Sequence, residues 1–434
     1  MTTIELIAAP LLRGLLIATT GKPYTLKLEP GASRPSARAV WELGVDSGRI
    51  GDSDGNPDEG KLATELMAAF AARQAVHQAA HQTTAAHQTT AAHHAPRSDV
   101  TSAGDQVPDA IALSVGGEKF FYRVSAPAAD DRATQGRPDP SSSDSVCANS
   151  ARAYSARSRG AVVMGKVALV TGGAQGIGEE IVRGLAASGA TVYIADLNFE
   201  GAHQLSDAIN SDGSGATTYP VAVNVMDEKS VEAMFETVAR ITGGLDLVVS
   251  NAGVLKAGSV LDLDEKSFRF VTDVNYIGFF LMAKHAARLM RRQWLTAPSW
   301  HTDIVQVNSK SGLEGSNKNG AYAGSKFGSI GLVQSFALEL VKYNIKVNAI
   351  CPGNFLGGPL WTDPVKGLFV QYLNSGKVPG AKTVEDVRVY YESKVPMGRG
   401  VEGKDLMRAL YYLVEQEYET GQALPVTGGQ VMLS

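Results

Sequence analysis

The 434-residue chain is 44% hydrophobic and 19% charged, which supplies a sizeable core and exceeds the length of one ordinary domain. Its formal net charge of −4 argues against a general binder of nucleic acid or of anionic membrane. Two cysteines, Cys147 and Cys351, exclude a disulfide framework and a cysteine metal cluster, and fit a reducing, cytoplasmic location with no bound metal.

The first apolar run, "LIAAPLLRGLLIATT" (6–20), is interrupted by Arg13 and too short to span a bilayer. Glu5 stands where a signal peptide would carry positive charge, so the run reads as a buried or partner-facing segment rather than a membrane anchor. Residues 79–94 repeat a six-residue unit that carries His81, His87, His93 and His94. That spacing suits neither one helix face nor a zinc knuckle, and the tract reads as solvated linker. "RPDPSSSDS" (137–145) and "SARAYSARSRG" (150–160) are likewise linker-like. Between these tracts "DAIALSVGGEKFFYRV" (109–124) predicts a small hairpin. Residues 1–163 are therefore an N-terminal extension, largely irregular, ahead of one domain at 164–434.

After Met164 the pattern becomes alternating β-rich runs and amphipathic helices. Strands are predicted at 166–171, 191–195, 219–223, 245–250, 303–308, 345–351 and 422–426. Seven strands separated by helices in this length predict one doubly wound, Rossmann-like parallel α/β sheet.

"TGGAQGIG" (171–178) follows the first of these strands and opens a helix. Gly172 would permit a tight turn, Gly176 a close approach of backbone to a pyrophosphate, and Gly178 close packing of helix on strand. Amides at the helix N-terminus, with Gln175 and Ile177 among the turn residues, would face the phosphates. Asp196 ends the second strand, where a carboxylate accepts hydrogen bonds from both ribose hydroxyls and repels a 2′-phosphate; this favours NAD over NADP. Asp196 could equally cap the helix starting near Phe199, and the two roles are compatible.

Tyr322 and Lys326 are spaced i, i+4 on a predicted helix, 322–342, whose apolar positions recur at helical period. With 14 tyrosines and 40 basic residues in 434, chance alone yields roughly one such pair, so chemistry must supply the test. A phenol with a reference pKa of about 10 exchanges protons near neutrality only if something stabilises its phenolate, which a nearby ammonium does. Ser309, at the end of the fifth strand, lies at the sheet edge where ligands bind and could orient a substrate oxygen.

Taken in order, "TGGAQGIG", "NAG" (251–253), "VNYIGFF", "NSKSG", "YAGSK" and "PG" (352–353) resemble the short-chain dehydrogenase/reductases over residues 165–433. The resemblance implies Tyr322 as catalytic acid/base, Lys326 as the residue that lowers its pKa and holds the nicotinamide ribose, Ser309 as substrate-orienting serine, and Asn275 as anchor of a relay water. It further implies cofactor contacts from Asn224, Val225, Asn251, Ala252, Gly253, Pro352 and Gly353. Asn224 replaces a usual aspartate near adenine, leaving Asp227 as a helix cap, and Gly357 replaces a usual threonine. Residues 293–302, "QWLTAPSWHT", form a longer connection than usual.

Within the family, "QVNSKSG", "GNFL", "KVPMGRG" and Thr427 in "VTGGQVM" resemble members that oxidise a sugar-alcohol phosphate to fructose 6-phosphate with NAD. Lys256 and Lys310 adjoin cofactor- and substrate-facing motifs and are the expected phosphate ligands; Lys318 and Arg399 are further cations on nearby loops. The long segment 353–383, with Trp361, Phe369 and Tyr372, would either close over substrate or pack on the sheet edge. Rival readings are a dehydrogenase for another polyol, sugar or hydrophobic alcohol, and a non-catalytic NAD-binding sensor with the extension as interaction arm. The resemblance also implies a homotetramer or homodimer.

Overall fold

The computed structural model describes residues 3–20, 22–23, 25–28, 40–45, 58–73, 110–115, 118–125 and 160–432, apart from 366, 375 and 377. The histidine repeat at 79–94, the tract at 137–145 and nearly all of 150–160 lie outside the described residues, as does Cys147. Two compact units emerge: Met1–Pro127 with Glu236–Gly244 and Arg288–Trp300, and Ala128–Phe235 with Leu245–Ala287 and His301–Ser434.

In the first unit the apolar N-terminal run forms helix α1 (Thr3–Thr20), followed by β1 (Thr25–Leu28), β2 (Val40–Val45), α2 (59–73), β3 (Ala110–Val115) and β4 (Glu118–Ser125). The expected hairpin is present: β3 and β4 pair antiparallel, within a four-stranded sheet of order β1-β4-β3-β2. Leu11, Leu12 and Leu16 of α1 pack with Leu26, Leu62, Leu66, Ile111 and Tyr122 into one core, and Leu295, from the long connection noted in the sequence, packs against it. Thr296 Oγ1 donates to Leu11 O at 2.8 Å, and Glu59 accepts from Arg291 (2.7 Å) and Arg292 (2.9 Å).

The second unit is built on β5 (Val167–Thr171), α3 (Gly176–Ala187), β6 (Thr191–Asp196), α4 (Phe199–Asn210), β7 (Thr217–Ala222), the start of α5 (Glu228–Thr242, assigned to the first unit from Glu236 on) and β8 (Leu247–Ser250). It continues with α6 (Glu265–Thr272), a π turn (Asp273–Ile277), the start of α7 (Gly278–Trp294, assigned to the first unit from Arg288 on), β9 (Thr302–Val307), α8 (Gly320–Leu340) and β10 (Ile345–Pro352). The C-terminal part holds α9 (Pro359–Thr362), α10 (Leu368–Asn374), α11 (Val384–Ser393), α12 (Gly403–Glu415) and β11 (Ala423–Val426). Seven strands form one sheet of order β11-β10-β9-β8-β5-β6-β7, with every pairing parallel. Strands buried on both faces explain the continuous apolar runs: every residue of β5, β9 and β10 is buried.

Ile181, Leu185, Leu406 and Leu410 of α3 and α12 pack against Val170, Val192 and Ile194 of the sheet. Beneath α12 a buried ion pair joins Lys346 of β10 to Asp303 of β9 at 3.0 Å, and Lys346 Nζ also donates to Leu413 O (2.6 Å) and Gln416 O (2.7 Å). One lysine thus caps the C-terminal carbonyls of α12 and neutralises an acid in the sheet. The aromatics of the 353–383 segment pack on one another and on α11. Trp361, Phe369 and Tyr372 cluster with Tyr391, and the Trp361 and Phe369 ring centroids lie 5.1 Å apart. Among the described residues no helix is long and apolar enough to cross a membrane.

Candidate active site

Chain order reverses at β5, which has β8 on one side and β6 on the other, so the crevice for a ligand opens at the carboxyl ends of these strands. The glycine-rich turn sits there. Gly172 and Gly176 have φ of +62° and +59°, left-handed values that side chains resist. A Cβ on Gly178 would overlap Gly172 O, so α3 packs directly on the turn. The N-cap of α3, Gln175, makes no side-chain cap bond, which leaves first-turn amides facing the crevice. Ile177 instead packs on the sheet core.

Asp196 closes the turn from β6. Its Oδ2 accepts from Ala174 N (3.0 Å) and its Oδ1 from Asn198 N (2.9 Å), leaving further lone pairs for ribose hydroxyls. The capping alternative falls to Asn198, whose Oδ1 accepts from Gly201 N at 3.1 Å. Asn224 folds its carbonyl oxygen onto Met226 N (3.1 Å), Val225 is buried against Gly278, and Asp227 accepts from Lys229 N (3.0 Å) as the expected cap. Asn251 Nδ2 donates to Thr171 O (2.9 Å) and Gly172 O (3.0 Å), which locks the "NAG" segment to the glycine turn. Thr171, which sequence reasoning passed over, accepts at Oγ1 from both Asn251 N (3.0 Å) and Ala252 N (3.1 Å). Pro352 ends β10, and Gly353 N donates to Val426 O at 2.9 Å.

The catalytic candidates converge on one sheet edge. Tyr322 lies in the first turn of α8, Lys326 one turn later, and Ser309 just past β9. The Ser309 side chain lies near enough to the Tyr322 phenol to draw its pKa down, and Ser309 Oγ accepts from Ser311 N at 3.0 Å. Lys326 is buried; its Nζ donates to Val307 O at 2.9 Å and lies 5.7 Å from the Tyr322 ring centroid. A Cβ on Gly253 would fall 3.3 Å from Asn275 Oδ1 and 3.7 Å from Lys326 Nζ, so the "NAG" loop meets the same group. Asn308, unremarked in the sequence, donates to Lys326 O (3.0 Å) and accepts from Ser309 N (2.8 Å), tying strand end to helix.

The Asn275 amide is engaged with the backbone of Val254 at both ends (2.8 and 2.9 Å) and with Ser325 Oγ (3.1 Å), so its side chain braces the loop after β8. Burial pushes the Tyr322 phenol up, opposed by the nearby Ser309 hydroxyl, while Cys351 adds a further upward push. Lys326 Nζ donates to Val307 O. Cys351 is a buried free thiol, pushed up to about 12 mainly by burial and drawn down by Lys326.

Burial lowers Lys326 from 10.5 to about 8. Between those values the unfolded chain holds the proton and the folded chain does not, so this group contributes stability that grows as pH rises through the window. Thermal melts of Lys326→Met across that range are expected to show a flatter dependence on pH than the parent.

The cations expected around a phosphate separate. Lys310 is half-buried and lowered by burial against a raising influence from Glu314, while Lys256 is exposed. Gly258 N donates to Lys318 O at 2.9 Å, and this joins the loop that carries Lys256 to the loop before α8. Arg399 is committed elsewhere, bidentate to Asp405 at 2.6 and 3.1 Å.

Comparison with known proteins agrees with this geometry. A family model described as short chain dehydrogenase matches residues 166–362. Sorbitol-6-phosphate 2-dehydrogenase of Escherichia coli (strain K12) is 36% identical over 271 residues, covering 62% of this chain and 100% of that protein. The 3-oxoacyl-(acyl-carrier-protein) reductase of Aquifex aeolicus is 29% identical over 269 residues, covering 62% of this chain and 98% of its own. The crystal structure of sorbitol-6-phosphate 2-dehydrogenase from Erwinia amylovora, 38% identical, matches with a TM-score of 0.56 over 61% of this chain and 100% of that one. The chain belongs to the short-chain dehydrogenase/reductases, oxidoreductases that work with a nicotinamide cofactor.

Proposed function

We propose that the chain oxidises sorbitol 6-phosphate to fructose 6-phosphate with NAD, and runs in reverse as a ketose phosphate reductase. The observation that carries the chemistry is a buried phenol with the Ser309 hydroxyl near it and buried Lys326 Nζ 5.7 Å from its ring centroid. In oxidation Ser309 and Tyr322 hold the substrate hydroxyl, and Tyr322 takes its proton. The glycine turn, Asp196 and the "NAG" segment would hold the nicotinamide cofactor, which would accept the hydride. Lys326 is the cation at hand to favour the phenolate and to hold the nicotinamide ribose. In reduction, the upward push of burial keeps the phenol protonated as an acid.

Preference for NAD is supported by the Asp196 carboxylate at the end of β6 and by apolar, exposed Leu197 in place of a cation. Likeness to two sorbitol-6-phosphate 2-dehydrogenases supports the substrate. Lys310, half-buried next to Ser309, and Lys256 would meet the phosphate. Exposed Phe268, Ile277, Phe280, Phe327 and Leu338 on α6, the π turn, α7 and α8 fit a homotetramer or homodimer, and the buried thiol Cys351 fits the cytoplasm.

Lys310→Ala is expected to raise KM for sorbitol 6-phosphate by about ten- to a hundredfold, the loss of one charge-assisted contact, with the KM for NAD unchanged. Steady-state kinetics with NAD and NADP decide both points: an unchanged KM removes Lys310 from the phosphate site, and faster turnover with NADP overturns the role of Asp196.

A further inference from the structure

We infer that Ser325 is a positioning residue that couples Asn275 to the first turn of the catalytic helix, so that Asn275 and Tyr322 act as one unit. The inference rests on the reading of Tyr322 as the acid/base.

Ser325 is 5% exposed and lies between the two groups it would couple. Its Oγ donates to Tyr322 O at 2.7 Å and accepts from Asn275 Nδ2 at 3.1 Å. The remaining polar capacity of the Asn275 amide goes to the loop after β8: Nδ2 donates to Val254 O (2.9 Å), and Oδ1 accepts from Val254 N (2.8 Å). Both amide hydrogens and the amide oxygen therefore have partners. A second rung repeats the link one turn later, where Ser329 Oγ donates to Ser325 O (2.7 Å) and reaches Asn275 O (3.3 Å). Between the rungs, a Cβ on Gly328 would lie 3.0 Å from the Tyr276 ring, so α8 and the π turn are in close register.

Removing the Ser325 hydroxyl leaves one Asn275 N–H without a partner at a position only 2% exposed. The amide must then turn, which loosens Val254 next to the cofactor loop, while the Tyr322 carbonyl loses its brace. A serine that merely satisfied its own helix by bonding the i−3 carbonyl would affect stability and leave the rate alone. The two roles differ in what a folded variant does to catalysis.

The test compares the full chain with Ser325→Ala, Ser325→Thr, Asn275→Ala and the Ser325→Ala/Asn275→Ala pair. Sorbitol 6-phosphate, or the best-used member of a secondary-alcohol panel, serves as substrate. Ser325→Ala is expected to lower kcat about tenfold, the effect of one unsatisfied buried donor, and to move the pH profile, with the KM for NAD unchanged. Ser325→Thr, which keeps the hydroxyl, restores most of the rate. The double variant is expected to lose less than the product of the two single effects, because the serine acts in part through the amide. Full kcat with an unmoved pH profile in folded Ser325→Ala, or a double variant that loses the product of the two single effects, overturns the inference. If Ser325→Ala does not fold, Ser325→Cys, close in size with a weak S–H donor, replaces it under the same two outcomes. Full turnover by Tyr322→Phe would instead sink the acid/base reading, independently of Ser325.

Discussion

Tyr322→Phe is expected to lower kcat by roughly a thousandfold while leaving the KM for the nicotinamide cofactor close to the parent value; proton transfer by a positioned side chain contributes about 10²–10⁴-fold. The phenyl ring keeps the packing of the first turn of α8 and removes one oxygen. That oxygen is the proton-exchanging group near Ser309, and no second phenol is available in "YAGSK" to replace it. Ser309 then has a substrate oxygen to hold and no partner for its proton. Initial-rate kinetics separate this loss from a binding defect, because the glycine turn, Asp196 and Asn251 are untouched. A kcat near that of the parent would move the proton to another group.

The largest effect on stability is expected from Lys346→Met, which removes the cation from the buried pair under α12. Breaking such a pair by taking one partner costs about 3–5 kcal/mol, because the remaining charge stays in the interior. Asp303 is 1% exposed, and burial already holds its carboxyl well above the usual range against the pull of Lys346. Leu413 O and Gln416 O lose their donor at the same time. Urea unfolding of Lys346→Met measures the loss. The pair Asp303→Leu/Lys346→Met is expected to recover part of it, since no uncompensated charge is left, and a double variant less stable than the single one contradicts this account.

How much of the molecule was legible in the sequence depended on the range of the interactions. All seven strands of the parallel sheet were readable, those in its middle because a strand buried on both faces is a short apolar run, as "VALV" (167–170) is. Their ends were misplaced by at most two residues, at the starts of β7 and β8. The catalytic candidates were readable because Tyr322 and Lys326 are local to one helix and Ser309 is local to a strand end. What escaped notice depends on partners distant in the chain: Thr171 accepts from residues 80 and 81 positions away, and Asn308 bonds a carbonyl 18 positions on. Arg399 read as a free cation because its partner, Asp405, belongs to the next helix.

The first unit was the least legible for the same reason. Its sheet joins β1 to β4 with residues 25–28 against 122–125, and its core receives Leu295 from the far side of the chain. No periodic pattern within any one window records such an arrangement. The hairpin of β3 and β4 was the exception, since two adjacent apolar runs around a pair of glycines announce themselves locally.

The most direct test of the functional account is the initial rate of NADH formation by the full chain, given NAD and either sorbitol 6-phosphate or sorbitol. The account predicts turnover of the phosphate with a kcat/KM at least about a hundredfold above that for sorbitol, the phosphate being held by cationic side chains that sorbitol cannot engage. Turnover of sorbitol with none of its phosphate, or of neither, would contradict it.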